Sequence, residues 1–114
     1  ATASAWVTAR WGETVGVLHM VGCASAHLGR GLGALVCLAA LHQMVAEGRE
    51  RATLSTDDFR LPAIRTYARL GFQPLPFSED HRARWHDVIR HLDAPPAGWQ
   101  PILDAPLAPL PPLV

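Results

Sequence analysis

The 114-residue chain predicts one small α/β domain built on a mixed sheet. Three observations carry that expectation. Apolar strand-like runs alternate with stretches of helical period, in the order strand, strand, helix, strand, helix, strand, helix. A glycine run, Leu28-Gly29-Arg30-Gly31-Leu32-Gly33, stands where the second strand gives way to the first helix. The composition, 49% hydrophobic and 18% charged, is that of a globular core and not of a disordered segment.

Each element has a local reason. Ala1 to Val7 reads as a short strand, and Thr8 to Glu13 as a turn around Gly12. Thr14 to Cys23, with Val15, Val17 and Val21, suits a buried strand. Gly33 to Glu47 is the clearest helix: Leu32, Leu35, Val36, Ala39 and Gln43 fall at helical spacing, Ala40 and Met44 widen the apolar face, and Gly48 stops it. Ala52 to Thr56 is a third strand, joined to the second by a right-handed crossover and ended by Asp57 and Asp58. Pro62 to Leu70 is a helix opened by proline and closed by Gly71. Phe72 to Leu75 reads as an edge strand because Pro74 and Pro76 limit its pairing. Ser78 to Leu92 is a helix with Ser78 as its cap, Glu79 and Asp80 at its positive end, and an apolar stripe of Trp85, Val88, Ile89 and Leu92. Residues 1–92 therefore form the folded domain. Asp93 to Val114, holding seven of the ten prolines, is expected to be an extended tail, with the alternative that it packs over apolar surface through Trp99, Ile102 and its leucines.

Charge and composition narrow the function. Ten basic and ten acidic residues balance, which removes the electrostatic argument for a nucleic-acid or anionic-membrane partner. No apolar run approaches the ~20 residues of a membrane span. The two cysteines, Cys23 and Cys37, read as reduced thiols, and the expected location is cytoplasmic. His19, Cys23 and His27 are spaced by four, which would suit a helix, but span a strand and a loop, and His81, His86 and His91 do not share one helical face, so no metal is expected.

The glycine run is where chemistry is expected. Glycines at a strand-to-helix junction let the backbone turn and aim N–H groups outward, and the helix behind them adds about half a positive charge. That is a seat for a phosphate or pyrophosphate. A P-loop is excluded, because Gly33 is followed by Ala34 and Leu35 with no lysine or magnesium-binding hydroxyl. A dinucleotide fingerprint is met only loosely, although Asp57 stands near the distance at which such folds place an acidic residue.

A second motif lies downstream. Arg60-Leu61-Pro62-Ala63-Ile64-Arg65-Thr66-Tyr67-Ala68-Arg69-Leu70-Gly71-Phe72 follows the pattern Asn-x-x-Ala-x-x-x-Tyr-x-x-x-Gly-Phe. Together with the glycine run, it resembles the acetyl-CoA-binding half of the GNAT acetyltransferase superfamily, over roughly Ala1 to Leu75. The chain departs from the family pattern twice: Leu28 stands where Gln or Arg is usual, and Arg60 where Asn is usual.

The resemblance implies a GNAT-like fold lacking its N-terminal strands and helices, and so a fragment of a longer product or a self-associating homo-oligomer. It implies an N-acetyltransferase that passes an acetyl group from acetyl-CoA to a primary amine on a small molecule or peptide, by direct attack in a ternary complex. The alternative is a non-catalytic acyl-CoA-binding or interaction domain on the same fold. The pyrophosphate would meet Leu28, Gly29, Arg30, Gly31, Leu32, Gly33 and Ala34, chiefly through backbone N–H groups. The pantetheine arm would pair with the backbone of Val21, Gly22 and Cys23, as an added strand, and approach Arg60. Tyr67 would protonate the leaving thiolate, a role suited to a phenol that stays protonated at neutral pH. The position where relatives carry a glutamate base is Val17. His19, two residues on along the same strand face, is the candidate base, ahead of Glu13, Asp57 and Asp58.

Overall fold

The computed structural model describes residues 1–109, which fall into two compact units, the first running to Ser55 and the second beginning at Thr56. In the first unit a three-stranded sheet carries one helix. β1 (Thr2–Trp6) pairs antiparallel with β2 (Val15–Gly22), matching Trp6 with Val17 and Ser4 with His19. β2 pairs in parallel with β3 (Arg51–Thr53) through Val15–Arg51, Gly16–Ala52 and Val17–Thr53. The crossover between them is α1 (Leu32–Ala46), so the sheet is mixed as expected.

Side chains alternate along β2, and that alternation decides where α1 sits. Gly16 and Leu18 are buried on one face, while His19 is exposed on the other. α1 covers the Gly16 face with Cys37, Ala40 and Met44, spaced for one helical side. Contact there is close: a Cβ on Gly16 would lie 2.4 Å from Met44 Sδ and 2.7 Å from its Cγ. Gly16→Ala is therefore expected to cost about 1–3 kcal/mol by overpacking. Met44→Ala should relieve part of that cost, so the double variant in urea unfolding should be less destabilised than the two single losses added. Strictly additive losses would show that the glycine is not there for Met44.

The sequence misplaces the buried side of α1. Leu35 is 60% exposed, and Ala39 is also exposed, although both were expected on the inner face. The helix is apolar on every side, with Leu38 and Val45 exposed as well, so periodicity alone had no contrast from which to choose a face. Its end was legible: Gly48 is left-handed (φ 80°), the N–H of Arg49 donates to the Met44 carbonyl, and that of Gly48 to Val45. This is the Schellman arrangement that glycine permits.

The second unit is helical. α2 (Leu61–Arg69), α3 (Glu79–His91) and α4 (Trp99–Asp104) enclose a core of Ile64, Val88, Leu92 and Trp99, with Trp85 edge-on to Trp99 at 5.4 Å. Ser78 caps α3 as expected, its Oγ accepting from the N–H of His81 at 3.1 Å. Two expectations are corrected here. Phe72 to Leu75 forms no strand: Pro74 and Pro76 are buried, and neither has an N–H with which to hold a ladder. The segment from Asp93 is not extended throughout: it contains α4, with Trp99 and Leu103 buried, which is the packed alternative. Proline density hid a six-residue helix that apolar burial stabilises. Residues 110–114 of that segment lie outside the described residues.

Candidate functional site

The residues expected to carry chemistry divide between the two units, and each group has its own geometry. In the first, β2 leads through Cys23 and a single 3-10 turn (Ser25–His27) into the glycine run. Gly29 (φ 78°) and Gly31 (φ 72°) are both left-handed, a conformation costly for any residue with a Cβ. A Cβ on Gly29, Gly31 or Gly33 would meet nothing within 4 Å, so these glycines leave the loop open on its outer side.

Gly31 is the cap of α1 and supplies no side-chain hydrogen bond. Its carbonyl accepts from the N–H of Leu35 at 3.2 Å, which starts the helical ladder there. The N–H groups of Leu32, Gly33 and Ala34 precede that first bond and have no intrahelical partner. The first turn of α1 holds no acidic residue. Three amides and the positive end of a 15-residue helix thus face outward from a bare backbone loop. The side chains of Leu28 and Arg30 are exposed, Leu28 by 63%.

The ladder between β2 and β3 ends at Val17–Thr53, whereas β2 continues to Gly22. Val21, Gly22 and Cys23 therefore lie beyond the paired stretch, held on one side only, where Gly22 matches Thr2 of β1. His19 lies on the face away from α1, its ring 4.5 Å from that of Trp6. Burial pushes the Cys37 thiol up from its ordinary pKa, which leaves it inert inside the first unit's core. An open groove of about 420 Å³ between β1 and α1 is lined by Ala1, Ala3, Ala5, Val36, Ala39 and Gln43, none of which has a titratable side chain.

In the second unit, the Tyr-x-x-x-Gly-Phe motif has a structural meaning. Gly71 is left-handed (φ 95°); the N–H of Phe72 donates to the Tyr67 carbonyl at 3.0 Å and that of Gly71 to Ala68 at 3.1 Å. This closes α2 in a Schellman cap, and the apolar contact that accompanies such caps is the edge-on pair of Tyr67 and Phe72, with centroids 6.0 Å apart. Tyr67 is half-buried.

Arg60 opens the same helix. Its Nε lies 3.3 Å from Asp57 Oδ2, and its guanidinium carbon 5.8 Å from the centre of the exposed Phe59 ring. Asp58 accepts from Arg84 Nε at 3.1 Å, and Arg84 also approaches Asp80 at 3.8 Å. The hydrogen bond from Arg84 holds the Asp58 carboxyl below the usual carboxylate range, and the same bond raises Arg84. A lowered folded pKa means that this pair helps the fold above the ordinary carboxylate pKa and is lost as pH falls through the lowered value. Asp57 and Asp58 are engaged with arginines, which argues against either as a base. Arg84, 26 residues away in sequence from Asp58, carried no sequence signal. Among the described residues no three His, Cys, Asp or Glu side chains gather as a metal site. Nor is any described helix long and apolar enough to cross a membrane.

Comparison with known proteins gives a consistent picture. Residues 1–72 match the acetyltransferase (GNAT) family. A mycothiol acetyltransferase from Gordonia bronchialis is 43% identical over 58 residues, covering 51% of this chain and 19% of that protein. One from Nocardia farcinica is 42% identical over 60 residues (53% and 20%), and one from Corynebacterium aurimucosum 36% over 66 residues (58% and 21%). The chain spans about a fifth of the length of these curated relatives. No solved structure matches it. The family match extends from β1 to Phe72 and takes in both the bare glycine loop and the Schellman-capped tyrosine helix: the chain belongs to the GNAT acetyltransferase family.

Proposed function

We propose that the chain is the acetyl-CoA-binding part of an N-acetyltransferase that acetylates a primary amine on a small molecule or peptide. The observation that carries this is the glycine run, whose left-handed Gly29 and Gly31 bring three unpartnered amides to the start of α1 with no competing cap or acid. An anion held by backbone N–H groups does not depend on the side chain at position 28, so the leucine there leaves the seat intact. The relatives named mycothiol acetyltransferases are in keeping with acetyl transfer.

In this reading the amine attacks the thioester carbonyl. The C–N bond forms, the C–S bond breaks, and backbone N–H groups along Val21 to Cys23 stabilise the oxyanion. Tyr67 gives its phenolic proton to the leaving thiolate of coenzyme A. The proton lost by the amine passes to His19, directly or through water, which the exposed ring on Trp6 leaves room for. Arg60 is assigned to the coenzyme.

A second reading, an acyl-CoA-binding domain without turnover, draws on the exposed Leu28 and on Arg60 being paired with Asp57. Isothermal calorimetry of the full-length protein with acetyl-CoA tests both. Heat of binding below ~1 mM ligand is expected, the upper end of ordinary enzyme affinities, and its absence would remove both readings. Release of free thiol in the presence of a panel of primary amines then separates them: release supports the transferase, and binding without release supports the second reading.

A further inference from the structure

We infer that Arg84 is a positioning residue for acetyl-CoA: through Asp58 it fixes the Asp57–Arg60 turn and thereby the Arg60 guanidinium. This rests on the assignment of Arg60 to the coenzyme under Proposed function. The turn has little to hold it by itself. Phe59, at its centre, is 75% exposed and gives it no apolar anchor. The turn's own bonds are local: the N–H of Arg60 donates to the Asp57 carbonyl at 3.1 Å, and the Arg60–Asp57 ion pair spans 3.3 Å. Both ends of those contacts move together.

At its far end the turn runs into α2, where the Arg60 carbonyl accepts from the N–H of buried Ile64 at 3.0 Å; at Asp58 the tie to a rigid body comes from α3. Arg84 precedes Trp85, which packs on the buried Trp99, and Val88 and Leu92 further along α3 are themselves buried. From that anchored helix the Arg84 Nε–H reaches Asp58 Oδ2 at 3.1 Å, while Asp80, one turn earlier, lies 3.8 Å from its Nη1. Asp80 orients the guanidinium, the guanidinium grips Asp58, and the two residues after Asp58 carry Phe59 and Arg60. A planar guanidinium held between two carboxylates has less rotamer freedom to lose than a single surface pair. The pair is exposed, so its removal changes global stability little. Its effect is local, on where the next charged side chain points.

The test uses the full-length protein, with acetyl-CoA as probe. Arg84→Met and Asp58→Asn should each weaken acetyl-CoA binding about fivefold, and the double variant should be no weaker than either single one, because both remove one interaction. Arg84→Lys, which keeps the charge but loses the planar fork between Asp58 and Asp80, should recover only part of the loss, with affinity between that of wild type and that of Arg84→Met. Trypsin cleavage after Arg60, followed by mass spectrometry without ligand, should accelerate severalfold in Arg84→Met while the thermal midpoint stays near that of wild type. Wild-type affinity in Arg84→Met, or losses that add in the double variant, would overturn the inference. Should the wild-type protein fail to bind acetyl-CoA, the functional reading falls. The cleavage rate then still decides whether Arg84 orders the turn. If Arg84→Met does not fold, Asp58→Asn and Arg84→Lys carry the same comparison.

Discussion

Tyr67→Phe is expected to lower kcat by about 100-fold or more, the scale of a lost general acid, with acetyl-CoA affinity changed by less than about twofold. The substitution isolates the hydroxyl. The phenyl ring can still lie edge-on to Phe72 and the Tyr67 carbonyl still accepts from the Phe72 N–H, so the Schellman cap of α2 is kept. The measurement is thiol release at saturating acetyl-CoA, alongside calorimetric Kd and a thermal melt. A variant that turns over like wild type would reduce Tyr67 to a helix-capping ring and leave protonation of the thiolate to water. A variant that melts early would show instead that the hydroxyl serves the fold.

Trp99→Ala should destabilise the second unit by about 3–5 kcal/mol, the usual loss for emptying a large aromatic site. Trp99 is 4% exposed and shares a cluster with Ile64, Val88 and Leu92, beside the edge of Trp85. Its partners come from α2, from α3 and from Leu92 at the end of α3, so no single helix can move to fill the space. Removing it also strips α4, only six residues long, of a buried anchor; such a helix has no stability of its own. Urea unfolding followed by the remaining tryptophans measures the loss. A loss below about 1 kcal/mol, the level of an exposed position, would mean that residues after Asp93 are the loose tail that their prolines suggest.

These two residues mark what the sequence could and could not disclose. Tyr67, Gly71 and Phe72 stand at fixed spacing, and that spacing is a local event: one helical turn, a left-handed glycine, a ring contact. Local events are written in adjacent letters, which is why the caps at Gly48, Gly71 and Ser78 were all legible. The glycine run was legible for the same reason. Trp99 depends on partners up to 35 residues distant, from Ile64 onward, and Pro95, Pro96 and Pro101 around it speak for the opposite outcome. The buried side of α1 was hidden by an excess of signal, since a helix apolar all round names no face. The Arg84–Asp58 bond was hidden because two charges 26 residues apart have no periodicity to betray them. In the site itself, the backbone-dependent parts were readable and the tertiary side-chain contacts were not.

The left-handed cap at Gly31 ties stability to use. Most helices begin with a serine, threonine, aspartate or asparagine whose side chain bonds a first-turn amide, worth about 1 kcal/mol over an uncapped start. Glycine at position 31, with φ at 72°, makes no such side-chain bond, although a glycine cap falls short of a polar one by only about a few tenths of a kcal/mol. A polar residue there would be strained by the left-handed backbone, and the bond it made would occupy an amide that an anion would need. A bound pyrophosphate would act as the missing cap, so ligand would do for this helix what its own sequence does not. A substitution at position 31 should therefore cost the protein twice, straining the empty helix start and blunting its affinity for the anion.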